Sequence, residues 1–264
     1  MVKKIKIAFT TLLNDPTIFL YFCLSFIYNV KIPPLLTLSS NDLISELKKG
    51  KSLIRVGDGE AMLCMGRSIH YQSFTDSLQL EIKTIITTYT QNSPYILAVP
   101  YFAIQNSVAE LKEKKRFRIW RLFRVFFKIR FNHDVTYADA VMFYHQNAFT
   151  DLLSSHLKNK QVIVVTKSDN LTQELRNTLS LFSSHAVKYV TAPDTNTYEK
   201  LSQILTTIDT LRDNTLPEKL VILVAAGPAA KSITWHYAKL GIQTLDIGHG
   251  IEIIGKKNDY SDRL

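Results

Sequence analysis

The chain has 264 residues, a formal net charge of +9, 46% hydrophobic and 21% charged residues. These values exclude intrinsic disorder, and the length suffices for one large domain with a buried core. The basic excess is local, with nine Lys or Arg against one Glu between Lys112 and Phe131, so the chain is not basic throughout and a nucleic-acid partner is not expected.

Met1 to Lys6 holds three lysines, and Ile18 to Val30 is an almost wholly apolar run of 13 residues. A bilayer span needs roughly 20. Residues 1–40 are therefore expected to form an apolar helical appendage that packs on the domain or lies in a membrane interface, ending at Pro33-Pro34. Residues 41–264 are expected to form the main domain. Cys23 and Cys64 lack metal-ligand spacing and suit a reducing, cytoplasmic setting.

From residue 41 onward, short β-branched runs alternate with longer amphipathic ones. Asn41–Lys49 is predicted helical, capped by Ser40 or Asn41 and followed by Gly50. Ser52–Val56 is a short strand running into Gly57. Asp76–Thr90 is a helix with Leu78, Ile82, Ile85 and Ile86 on one face, and Tyr95–Val99 is a strand stopped by Pro100. The stretch Lys112–Phe131 sets Arg118, Arg121, Arg124 and Lys128 between Ile119, Leu122, Phe123, Phe126 and Phe127. It is predicted to be a basic amphipathic helix, which suits either peripheral membrane contact or a core-packed helix with solvated charges.

Ala140–Tyr144 and Gln161–Thr166 are strand-like, and Leu171–Leu181 and Tyr198–Leu211 are helical. Leu220–Ala226 is apolar without alternation, as in a strand covered on both faces. Helix Ala229–Leu240, Gly241 and strand Gln243–Ile247 complete a βαβ unit. The expected architecture is α/β, a Rossmann-like, mostly parallel sheet with helices on both faces. Ligands of such sheets bind at the carboxyl ends of the strands.

Three segments fall at those ends. Arg55-Val56-Gly57-Asp58-Gly59-Glu60 offers two carboxylates one residue apart on a strand-to-helix turn. The glycines permit a sharp turn and close approach of a ligand, the carboxylates suit Mn²⁺ or Mg²⁺, and Arg55 suits a phosphate. The same residues also suit an exposed Gly-Asp-Gly turn. In Val221–Lys231, Gly227-Pro228 opens a helix whose first amides, around Ala229, and whose Lys231 are candidate phosphate ligands. Neither Gly-x-x-x-x-Gly-Lys-[Ser/Thr] nor Gly-x-Gly-x-x-Gly occurs. Asp246-Ile247-Gly248-His249 adds a carboxylate and an imidazole that could reach the same ligand.

Arg55 to Glu60, Ala226 to Lys231 and Leu245 to His249, in that order, resemble the signature segments of the GT-D-type glycosyltransferases, bacterial enzymes with a Rossmann-like fold. The resemblance covers roughly Asn41 to Lys256. It implies that Asp58 and Glu60 are the Asp-x-Glu motif holding a divalent metal that bridges a nucleoside diphosphate, and that Gly227-Pro228 is the family's Gly-Pro turn. Ala229 stands where the family more often has Thr, and the basic aromatic stretch and apolar N-terminus lie outside the likeness. The implied reaction is transfer of a hexose from a nucleotide sugar, a UDP-hexose, to a hydroxyl of a glycan acceptor in bacterial surface polysaccharide or glycoprotein assembly. The basic stretch and apolar N-terminus, outside the likeness, suit a lipid-linked or protein-linked acceptor reached from the cytoplasm at the inner face of the cell membrane. His249 or Asp246 would complete the metal shell or touch the ribose, and Asp194 or His249 is the candidate base. Another nucleotide-dependent transferase or hydrolase, and a non-enzymatic membrane-associated scaffold, are the alternatives.

Overall fold

The computed structural model describes residues 12, 15–27, 32–113, 117–144 and 146–255. Strands β1 (Ser52–Arg55), β2 (Tyr95–Val99), β3 (Ala138–Asp139), β4 (Gln161–Lys167), β5 (Lys188–Ala192), β6 (Leu220–Ala225) and β7 (Gln243–Asp246) form one sheet in the order β3-β2-β1-β7-β6-β4-β5. Every pairing among them is parallel. All strand carboxyl ends therefore open on one edge.

The central strands carry the apolar runs because both of their faces are covered. On one side Leu53, Ile96, Val164, Leu223 and Leu245 share a cluster with α2 (Ser40–Lys48), α8 (Gln146–Leu157), α9 (Gln173–Phe182) and α12 (Gly250–Ile254). On the other, Ile54 and Val56 meet α3 (Asp58–Cys64), α4 (Asp76–Thr87) and α7 (Phe117–Arg130). Farther along that face, Ile163, Ile222 and Val224 meet α10 (Leu201–Arg212) and α11 (Ala229–Lys239). The short helices α5 (Tyr101–Gln105) and α6 (Val108–Glu113) lead from β2 into α7.

Three expectations change, and one left open is decided. The cap of α2 is Ser39, whose hydroxyl accepts from the Asp42 amide at 3.1 Å. Ala140–Tyr144 is not a strand: β3 ends at Asp139 and Met142–Tyr144 is a 3₁₀ turn, with Phe143 packed edge-on to Phe149 at 4.6 Å. Strand β5 was not anticipated; it is an edge strand with an incompletely buried pattern. The aromatic face of the basic helix, lastly, belongs to the core. Phe123, Phe126 and Phe127 are 0–1% exposed, so they are not available to a membrane.

The apolar helix α1 (Pro16–Ile27) lies on that basic helix. Ile18 is buried, Asp15 pairs with Arg130, and the Lys128 ammonium sits 5.5 Å from the centre of the Tyr21 ring. Among the described residues, no helix is long and apolar enough to cross a membrane.

Candidate active site

The carboxyl ends of all seven strands line one cavity of about 690 Å³. Arg55, Gly57, Asp58, Gly59 and Glu60 come from the end of β1. Gly227, Pro228 and Lys231 follow β6, and Asp246, Gly248 and His249 follow β7. Parallel pairing of β7 with β1, Leu53 opposite Leu245, is what brings the last motif beside the first. The predicted residue Ala229 is the exception: it is fully buried and does not line the cavity.

The chain turns from β1 into α3 at Gly57, and Glu60 closes the turn by accepting the Gly57 amide on Oε2 at 2.8 Å. Its other oxygen, Oε1, lies 3.0 Å from Lys231 Nζ, and the same ammonium lies 3.1 Å from Asp246 Oδ2. Asp246 Oδ2 also accepts the Arg55 amide at 3.2 Å. Burial alone would raise the pKa of Glu60, but the Lys231 charge and the Gly57 amide outweigh it and hold the carboxyl below its usual range. Burial likewise opposes the charge of Lys231, yet Asp246 and Glu60 push its pKa up to about 12.

This network engages two predicted residues with each other. Lys231 is expected to reach phosphate, but it is 6% exposed and its ammonium is directed at Glu60, Asp246 and the Gly227 carbonyl, which accepts at 3.4 Å. Asp246, expected to meet metal or ribose, lines the cavity and is a 1%-exposed counter-ion of Lys231. The start of α11 is also less open than expected: the amides of Ala230 and Lys231 bond back to the carbonyls of Gly227 and Pro228 at 3.1 and 3.2 Å.

Asp58 is different. It lines the cavity and makes no ion pair with a cationic side chain among the described residues. Burial, and then the charge of Glu60, raise its pKa. The cluster of Arg55, Asp58, Glu60, Lys231 and Asp246 holds three carboxylates against two cations, a net charge of −1, and Asp58 is the carboxylate in it without an ion pair among the described residues. His249 lines the same cavity, with its side chain 52% exposed and Nδ1 3.2 Å from Glu252 Oε1. Among the described residues, no three His, Cys, Asp or Glu side chains converge as metal ligands. The expected set of Asp58, Glu60 and His249 is therefore not assembled. The donors do fit a hard cation that takes one or two carboxylates and fills its remaining positions with water and phosphate oxygens.

The glycines make room for side chains. A Cβ on Gly248, which has φ +45°, would lie 2.5 Å from Arg55 Nη1, and one on Gly227, φ +56°, would lie 3.2 Å from the Tyr71 ring. Arg55 is thus seated under Gly248, donating to the Ile247 carbonyl at 3.0 Å and lying 5.3 Å from the centre of the Phe143 ring. Tyr71 leans over Gly227 on a loop latched to the end of β5. The Asn196 amide donates to the Tyr71 carbonyl at 2.9 Å, and Asn196 Oδ1 accepts the Ser73 amide at 2.7 Å. Burial, then Glu60, push the Tyr71 pKa up to about 12, so it stays a protonated donor at neutral pH.

Lys167 at the end of β4 and the aromatic residues Tyr71, Phe102 and Trp120 line the cavity but are not anticipated from sequence. Only Lys167 carries a local signal, a cation immediately after a β-branched strand. Asp194 and His249, the candidate bases, both line the cavity.

An all-parallel seven-stranded sheet with an acidic ligand edge at β1 and β7 defines the class. The chain matches the family described as glycosyltransferase GT-D fold over residues 53–254, and it belongs to that family. It is similar to a protein of Streptococcus gordonii named "Probable glycosyl transferase Gly", with 24% identity over 224 residues. That match takes in 77% of this chain but 30% of the relative's length. A solved structure described as a new glycosyltransferase (DUF1792) from Streptococcus sanguinis superposes with a TM-score of 0.64 at 22% identity, over 87% of this chain and 85% of that one. Another, described as showing that the domain of unknown function 1792 has a distinct glycosyltransferase fold, gives a TM-score of 0.67 at 21% identity, over 87% and 82%. At these identities the structures share the fold.

Proposed function

We propose that the chain transfers a hexose from a nucleoside diphosphate sugar, a UDP-sugar, to a hydroxyl of a glycan acceptor, with Mn²⁺ or Mg²⁺ held at Asp58. The supporting observation is Asp58, a carboxylate on the ligand edge that has no ion pair among the described residues, while its neighbours Glu60 and Asp246 share the single Lys231 ammonium. A nucleoside diphosphate brings further negative charge to an edge already in deficit, so it needs a cation there. When bound, that cation supplies neutralisation of the charge developing on the departing diphosphate.

The protein's own groups supply the rest. Asp58 provides the anionic oxygen, and Glu60 keeps the helix start in place and presents the motif. Lys167, with no ion pair among the described residues, sits at the β4 end of the cavity and holds a donor phosphate. Tyr71 donates its phenolic proton to a donor oxygen above Gly227. Asp194 or His249 takes the acceptor proton. Calorimetric titration of UDP with and without Mn²⁺, on the wild type and on Asp58→Asn, tests the reading. Metal-dependent binding that vanishes in the variant is the expected result, and UDP binding unaffected by both metal and substitution refutes it.

A further inference from the structure

Part of the cavity wall is not used by the donor chemistry. The strand order places β2 and β3 on the opposite side of β1 from β7, β6 and β4. At that end the wall is Pro100, Phe102, Trp120, Ala140 and Val141. Phe102 lies in α5, three residues past the end of β2, and Trp120 arrives from α7; their rings meet edge to face, with centroids 4.9 Å apart and planes at 81°. Both pack on the core yet are only partly buried, so ring surface remains toward the cavity. Apolar surface retained in a cavity of this kind marks the place where an apolar ligand face is received.

A pyranose ring has such a face, formed by its C–H groups, with hydroxyls around its rim. Resting on the proposed transferase reading, we infer that Phe102 and Trp120 form the subsite that stacks a sugar ring of the acceptor glycan. Lys167 and the start of α11 lie on the donor side of Asp58 and this shelf lies on the other, so the two substrates meet at the end of β1. Aromatic rings supply large, rigid contact area at small entropic cost. The basic aromatic stretch thereby serves the site as well as the core, because its phenylalanines anchor α7 and the anchored helix delivers Trp120 to the cavity.

The chain has two tryptophans, Trp120 and Trp235, so a ¹⁵N-labelled full chain shows two indole signals. The probes are the methyl β-glycosides of glucose, galactose and N-acetylglucosamine, and their β-linked disaccharides. The expected result is a saturable shift of the Trp120 signal with at least one probe, while Trp235 stays in place. Phe102→Ala should weaken that binding about tenfold, or about 1.4 kcal/mol; Phe102→Leu serves if the alanine variant does not fold. The inference is overturned if no probe moves Trp120, if Trp235 moves in step, or if UDP with Mn²⁺ alone saturates the same shift. UDP that fails to bind at all would remove the proposed donor chemistry and leave a saccharide response at Trp120 standing, so the two failures are distinct.

Discussion

Replacing Lys231 by methionine removes one charge and little volume, so its effect isolates the buried ion network. The side chain is 8% exposed, and its ammonium lies 3.0 Å from Glu60 and 3.1 Å from Asp246, whose side chains are 9% and 2% exposed. Without it, two nearly buried carboxylates lose their shared counter-ion, and breaking such a pair costs about 3–5 kcal/mol. At about 2–4 °C per kcal/mol for a domain of this size, Tm falls by roughly 6–20 °C. In the wild type, Glu60 is held below its ordinary value, so its contribution is present above pH 4.5 and is lost as pH falls through its folded pKa. Lys231 is raised, so its contribution is present below pH 10.5 and is lost as pH rises toward about 12. In Lys231→Met the orphaned Glu60 carboxylate takes up a proton more readily, so the deficit is largest near pH 8 and shrinks near pH 5. Urea unfolding of both proteins at the two pH values measures this. A deficit below about 1 kcal/mol at pH 8, or one that does not change with pH, refutes the assignment of Lys231 as the buried counter-ion.

Three further outcomes follow from other parts of the molecule. Because burial and Glu60 raise the Asp58 pKa, protons compete with the cation at higher pH than an ordinary aspartate would allow. Mn²⁺-dependent UDP affinity should therefore fall on acidification before pH reaches the ordinary aspartate value of 3.8, and calorimetry across pH 4–7 reads it. Gly248→Ala places a methyl 2.5 Å from the Arg55 guanidinium at a positive φ; the expected cost is about 1–3 kcal/mol in chemical unfolding together with weaker UDP binding. Phe127→Ala, at a fully buried position on the basic helix, should cost about 3–5 kcal/mol in chemical unfolding; a near-neutral result would mean that this face is not core.

Much of the fold is legible in the chain because its signals are local. The unbroken apolar run Leu220–Ala225 reads directly as a strand covered on both faces, and the spacing of Leu78, Ile82, Ile85 and Ile86 reads as one buried helix face. Errors arise where a local pattern has two solutions. Ala140–Tyr144 has strand chemistry but turns, because Phe143 packs against Phe149 after β3 has already ended. The aromatic stripe of α7 suits a membrane as well as a core, and only the elements packed around it decide between them.

The same division holds at the site. Asp58 at the end of a strand, and Gly-Pro opening a helix, follow from residue order alone, since strand, turn and helix are neighbours along the chain. The partnership of Lys231 with Glu60, the bond from the Arg55 amide to Asp246 across 191 positions, and the seats that Gly248 and Gly227 provide for Arg55 and Tyr71 have no sequence signature. They exist because the sheet sets β7 beside β1 and β6 beside β7, and because the Tyr71 loop is latched to the end of β5. Charges that are distant in the chain are thereby forced together in a buried place, where each must find a counter-ion, and that requirement determines which carboxylate is left to meet a ligand.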